Sequence, residues 1–161
     1  MKRKTKALIR LLLFIGLLLS LVTGFFLWQE SKQLPLAVGD QLILAQGQPG
    51  DLVTIGITLY NNGERPIKLQ SVQVAGSSWD LSSARMTTAP LTYAKQPLET
   101  WAAANHTVLA PVNGFRIAKH RSATLGISLK RTANSSTHDN SLIVTYRLLF
   151  FTRQLRIELQ R

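Results

Sequence analysis

The spacing of apolar residues changes once along the chain. Leu11–Gln29 (LLLFIGLLLSLVTGFFLWQ) runs for 19 residues without a formal charge. As a helix it would span roughly 28 Å, close to the ~30 Å hydrocarbon core of a bilayer. A helix also satisfies its own backbone hydrogen bonds, which lipid cannot do. Gly16, Ser20 and Gly24 recur at four-residue spacing and could form a stripe on which a second helix packs closely. Residues 30–38 read as a connector, because Pro35 opposes continuation of the helix.

From residue 39 to 161 the apolar period becomes two, the signature of strands with one face buried. Gln41–Ala45 reads as a first strand, and Gly47, Pro49 and Gly50 as the turn after it. In Asp51–Tyr60, Val53, Ile55, Ile57 and Leu59 alternate with Thr54, Gly56, Thr58 and Tyr60, which predicts a half-buried strand. Asn61-Asn62-Gly63 should supply the positive φ angles of a tight turn. Ile67–Ala75 resumes the pattern, with a parity slip between Leu69 and Val72 that predicts a bulge. The prolines make Gly76–Pro111 hard to read. Trp79 and Trp101 are its large anchors, short strands are expected near Leu91–Ala94 and Thr107–Leu109, and a helical turn near Glu99–Ala104. Gly114–Ile117 reads as a short strand and Ala123–Leu129 as a long one. After the polar loop Ala133–Asn140, Leu142, Val144, Tyr146, Leu148 and Phe150 form one apolar side, and Leu155, Ile157 and Leu159 another. The link Phe151–Gln154 should join these two strands as a hairpin.

Many short strands and no long amphipathic helix argue for an all-β, antiparallel β-sandwich behind one N-terminal transmembrane helix. Asp51–Val74, with its NNGERPI turn, resembles the opening strands of immunoglobulin-like domains on bacterial cell surfaces. Gly114–Arg121 followed by Ala123–Leu129 is similar to their pattern of a turn leading into a long strand. The resemblance implies a fold and no particular activity, since that family includes adhesins, assembly factors and stalk modules.

Charge orients the chain. The formal net charge is +11, and Lys2, Arg3, Lys4, Lys6 and Arg10 stand in the tail formed by residues 1–10. By the positive-inside rule this tail is cytoplasmic and residues 39–161 lie outside, so the plasma membrane is the expected location. Trp28, with Phe25 and Phe26, stands where an outer aromatic belt would lie. The competing reading is a cleaved signal peptide, but the apolar run exceeds the usual 7–15 residues of one. From Pro35 onward 13 Lys/Arg face 7 Asp/Glu, so the outer segment is only moderately basic. Lys130, Arg131, Arg147, Arg153 and Arg156 cluster on or beside the last strands and form a candidate basic patch for anionic lipid or anionic wall polymer. Nucleic acid is not expected as a partner, because no motif interleaves aromatic and basic residues.

Candidate chemistry is sparse. The chain has no cysteine, which removes disulfides, thiolate metal sites and thiol nucleophiles. His106, His120 and His138 show no metal-ligand spacing, and the carboxylates are scattered. No G-x-S-x-G, Walker A or H-E-x-x-H pattern occurs. The expectation is therefore a non-enzymatic membrane-anchored envelope protein, without a metal or cofactor, that acts as a protein-interaction or assembly module. A module that binds or carries a ligand or lipid is the alternative, with a metal protein or enzyme third.

Overall fold

In a computed structural model of the full chain, residues 2–32, 34–39, 48–87, 89–91, 93–132 and 140–159 are described. The chain forms two compact units, Met1–Leu34 and Pro35–Arg161.

The first unit is the helix α1 (Lys2–Lys32). It starts inside the stretch read as a tail and runs into the stretch read as a connector. Its Leu8–Gln29 portion is long and apolar enough to cross a membrane, and none of that apolar stretch is buried. Helix formation here follows from the leucine-rich composition, since unbranched side chains lose little rotamer freedom. The two hydroxyls of the segment bond back to the helix: Ser20 Oγ donates to the Gly16 carbonyl at 2.9 Å and Thr23 Oγ1 to the Leu19 carbonyl at 2.7 Å. No hydroxyl proton is left to face an apolar medium. Gly16, Ser20 and Gly24 lie exposed on the helix, as does Leu11, 55% accessible. Trp28 stacks at a tilt on Phe25, ring centroids 6.1 Å apart.

The second unit is built from strands in two antiparallel sheets. The strands are β1 (Leu36–Val38), β2 (Leu52–Asn61), β3 (Ile67–Ala75), β4 (Trp79–Thr87), β5 (Tyr93–Ala94), β6 (Leu109–Pro111), β7 (Arg116–Ile117), β8 (Ser122–Arg131), β9 (Ser141–Leu148) and β10 (Phe151–Glu158), with one short helix, α2 (Leu98–Ala104). The larger sheet has the order β1-β2-β8-β4-β6, with β5 sharing the β1 edge of β2. The smaller has the order β10-β9-β3-β7. Gln41–Ala45, expected as a first strand, lies outside the described residues.

Both sheets feed one core. Leu59, Leu125 and Leu129 from the larger sheet and Leu69, Leu142 and Val144 from the smaller are all inaccessible to solvent. Burial of each such side chain stabilises the fold by about 2 kcal/mol before conformational entropy is counted. Alternation of apolar residues in β2, β8 and β9 positions these groups inward, as expected. The parity slip in β3 is a register shift between Leu69 and Ser71 against β9.

Four expectations are corrected. β2 is not half-buried along its length: Thr54, on its polar side, is fully buried. The reason is a strap, residues 89–91 and 93–104, laid across the outer face of the larger sheet. Thr54 Oγ1 donates to the Gln96 carbonyl at 2.6 Å, and Ser128 Oγ accepts the Leu98 N–H at 2.9 Å. Gly56 and Gly126 are direct cross-strand partners beneath it. A Cβ on Gly56 would sit 1.9 Å from the Leu91 carbonyl oxygen, and one on Gly126 would sit 2.8 Å from Leu98 Cδ1. Glycine here is a requirement of close approach.

Second, Asn61-Asn62-Gly63 makes no tight positive-φ turn. Asn61 ends β2, and the segment carries the chain from one sheet to the other. The Asn61 amide is buried and donates to the carbonyls of Arg65, Ile117 and Ala118, while its Oδ1 accepts the Gly63 N–H. Third, the β9–β10 link is Leu149–Phe150, with Leu148 paired to Phe151. Leu149 adopts φ 54, and Phe150 is 80% exposed, so it belongs to the tip and not to the apolar side of β9. Fourth, Trp79–Thr87 is a nine-residue strand that pairs with β8, and the expected Thr107–Leu109 strand lies instead at Leu109–Pro111.

Candidate functional site

The strand pairings bring together cations that are distant in sequence. Lys68 on β3 is directly opposite Arg116 on β7 and, on its other side, Arg147 on β9. Neighbouring strands lie about 4.8 Å apart, so three positive charges form one row across the outer face of the smaller sheet. Ile67 and Ile117 explain the direction. Both are buried, and strand pleating turns the next or preceding residue outward. Arg65 closes the end of the row, and Arg65, Pro66, Ile67, Lys68, Arg116, Arg147 and Leu149 line a cleft of about 480 Å³.

Two features hold the cleft in shape. Arg147 Nε donates to the Leu149 carbonyl at 2.9 Å, which fixes the guanidinium against the turn. That bond also offsets part of the ~1–3 kcal/mol that a non-glycine residue costs at positive φ. The Asn61 amide ties the Arg65 carbonyl to the Ile117 carbonyl next to Arg116, at 2.8 and 3.0 Å. Among the described residues, no carboxylate lies within 4.0 Å of Lys68, Arg116 or Arg147; Glu64 at this end pairs with Lys119 at 3.9 Å and shares a hydrogen bond with His120 Nε2 at 3.1 Å. Like charges directly opposite one another on paired strands are destabilising, so the row is a standing electrostatic cost that an anion would relieve. Guanidinium groups suit phosphate and carboxylate oxygens because their donors form a planar fork.

Of the basic residues singled out in the sequence, only Arg147 joins this cleft. Arg156 is on the same outer face but four residues farther along its sheet, where its Nε donates to Ser141 Oγ at 3.0 Å. Arg153 is not in a link. It lies on β10 opposite Tyr146, on the core side. Lys130 and Arg131 belong to the other sheet, near its opposite end. Lys130 pairs with Leu52 and Asp80, and Arg131 is nearly buried with its guanidinium 5.8 Å from the Trp79 ring centre. The cleft residues Arg65, Lys68 and Arg116 were missed because only the register of β7, β3 and β9 makes them neighbours.

Among the described residues no group of three or more His, Asp or Glu could hold a metal ion. His106 and His120 sit in turns at φ 49 and 53, and His138 lies outside the described residues. One buried titratable group stands out. Burial pushes the Tyr146 phenol above its ordinary pKa of 10.0, with the charge of Arg153 and the Leu36 backbone pulling weakly the other way.

No protein-family model matches the chain, and no curated protein matches it. The functional reading therefore rests on the residues themselves.

Proposed function

We propose that this chain is a single-pass, membrane-anchored protein of the cell envelope whose extracytoplasmic unit is an immunoglobulin-like β-sandwich acting as a protein-interaction or assembly module, without catalysing a reaction. The observation that carries the reading is the contrast within one chain. Leu8–Gln29 is apolar and unburied, whereas the β unit encloses its own core. A helix of that kind has no partner in water and a direct one in lipid. Four basic residues before Leu8, with Arg10 at the start of the span, and a cancelling Glu30 and Lys32 after it favour an internal N-terminus. The crossings β2 to β3 and β8 to β9 between two sheets, with β9–β10 as a hairpin, support the immunoglobulin-like assignment.

A tethered binding unit works at a high effective concentration of other membrane components. The test is site-specific photo-crosslinking in native membranes, with the probe at Gln154 on the outer face of β10. One adduct of discrete mass, absent when the probe is at an α1 position, is expected. A monomeric profile at every probed β-unit position would contradict the reading.

A further inference from the structure

The two ends of the β unit differ in charge and in exposed apolar surface. One end holds the connections β2–β3, β7–β8 and β9–β10. Among the described residues, Arg65, Lys68, Arg116, Lys119, Arg121 and Arg147 lie there against one acid, Glu64. Among the described residues of the unit the most exposed apolar side chains are Val108 at 81% and Phe150 at 80%, and both lie at this end, Phe150 in the β9–β10 turn and Val108 just before Leu109, which pairs with Thr87 at the end of β4. The other end, around the β3–β4 turn and the start of β2, mixes Asp51, Asp80 and Glu158 with Lys130, Arg131 and Arg156.

The chain also joins the β unit at the basic end. The Pro35 carbonyl accepts the Asn62 N–H at 2.8 Å, and Leu36 pairs with Asn61. Gly63 lies so close to Pro35 that an added Cβ would be 2.6 Å from its ring. The helix ends at Lys32, three residue steps earlier, and such a link reaches at most about 11 Å. If α1 crosses a bilayer, the basic end is held beside the headgroups.

We propose that this end is a membrane-contact surface: the cleft formed by Arg65, Lys68, Arg116 and Arg147 takes the phosphate of an anionic phospholipid headgroup in the bilayer that α1 crosses, while Phe150 and Val108 reach the interface. The proposal rests on the anchored reading of α1. Its logic is charge complementarity, a short covalent link and apolar side chains displayed beside the cations. A solvated charged face would share the first property but not the other two. Headgroup contact would fix the orientation of the β unit and leave its opposite end turned toward partners.

The test uses the full-length chain in nanodiscs of phosphatidylcholine, alone or mixed with phosphatidylglycerol. A single cysteine, unique because the chain has none, is placed by Phe150→Cys and carries an environment-sensitive fluorophore. A second preparation carries the label through Ser77→Cys at the opposite end. The Phe150 label should move to apolar emission only in anionic discs, and the Ser77 label should not respond. Lys68→Gln and Arg116→Gln should each lower the contact equilibrium roughly fivefold, since a basic side chain near an anionic surface contributes on the order of 1 kcal/mol. Both replace exposed side chains, so an unchanged thermal melt is expected alongside. Equal responses in neutral and anionic discs, or no effect of either substitution, would overturn the proposal. So would inorganic pyrophosphate binding at micromolar concentration in neutral discs, which would assign the cleft to a free phosphate ligand. Alkaline extraction of the chain from the bilayer would refute the anchor itself. A retained chain with an indifferent label refutes only the headgroup contact.

Discussion

The two sheets of the β unit present outer faces of opposite character. On the larger sheet the outward positions Thr54, Gly56, Gly126 and Ser128 are small, and the strap lies on them through Leu91, Gln96 and Leu98. On the smaller sheet the outward positions Lys68, Arg116 and Arg147 are long and cationic, and they line an open cleft. Both faces occupy the polar half of an alternating pattern. Side-chain size distinguishes them: a polar strand face made of Gly, Ser and Thr marks a surface that another segment can approach, whereas one made of Lys and Arg keeps other segments away.

The comparison can be broken at its tightest point. Gly56→Ala places a methyl group into the Leu91 carbonyl and must displace the strap, so a loss of about 3 kcal/mol is expected in chemical denaturation. The hinge between the faces comes next. Asn61→Ala leaves the Gly63 N–H and the Ile117 carbonyl without their buried partner, and should cost about 2 kcal/mol in the same assay. It should also loosen the cleft.

Tyr146→Phe tests the core between the sheets. Its hydroxyl is buried and makes no hydrogen bond of good geometry among the described residues, so its removal should raise stability by up to about 1 kcal/mol. The sign of the pH effect follows from linkage. The folded-state pKa is raised, so the unfolded chain loses the proton first. Stability from this group is full below pH 10 and declines as pH rises above it. Melts between pH 9 and pH 11 should show that decline in the parent chain and a shallower one in Tyr146→Phe. The smallest effect is expected on the open face, where Lys68→Ala removes a like-charge contact and should leave stability within about 0.5 kcal/mol.

Much of the fold was legible because alternation is local. Val53–Leu59, Ala123–Leu129 and Leu142–Leu148 each encode a strand and its inward face, and the slip after Leu69 encodes its bulge. β4 was not legible for a related reason. A register shift between Leu81 and Ser83 breaks the alternation, and Ser82, Ser83 and Ala84 give no apolar period to read. Phe150 was misplaced because parity alone continues β9 by two residues, whereas the chain turns at Leu149. The strap was hidden because a small polar residue looks the same in sequence whether solvent or backbone covers it. The cation row depended on two pairings, Lys68 with Arg116 and Lys68 with Arg147, between segments about 50 and 80 residues apart, which no local pattern reports.

The central claim is that α1 crosses a membrane with its basic start inside and the β unit outside. Because the chain has no cysteine, it is testable by single-cysteine accessibility in intact cells. Cells expressing Ser77→Cys or Thr5→Cys are treated with a membrane-impermeant maleimide before and after permeabilisation. The account predicts labelling at position 77 in intact cells and at position 5 only after permeabilisation. The reverse pattern, or recovery of soluble protein that begins near residue 25, would contradict it.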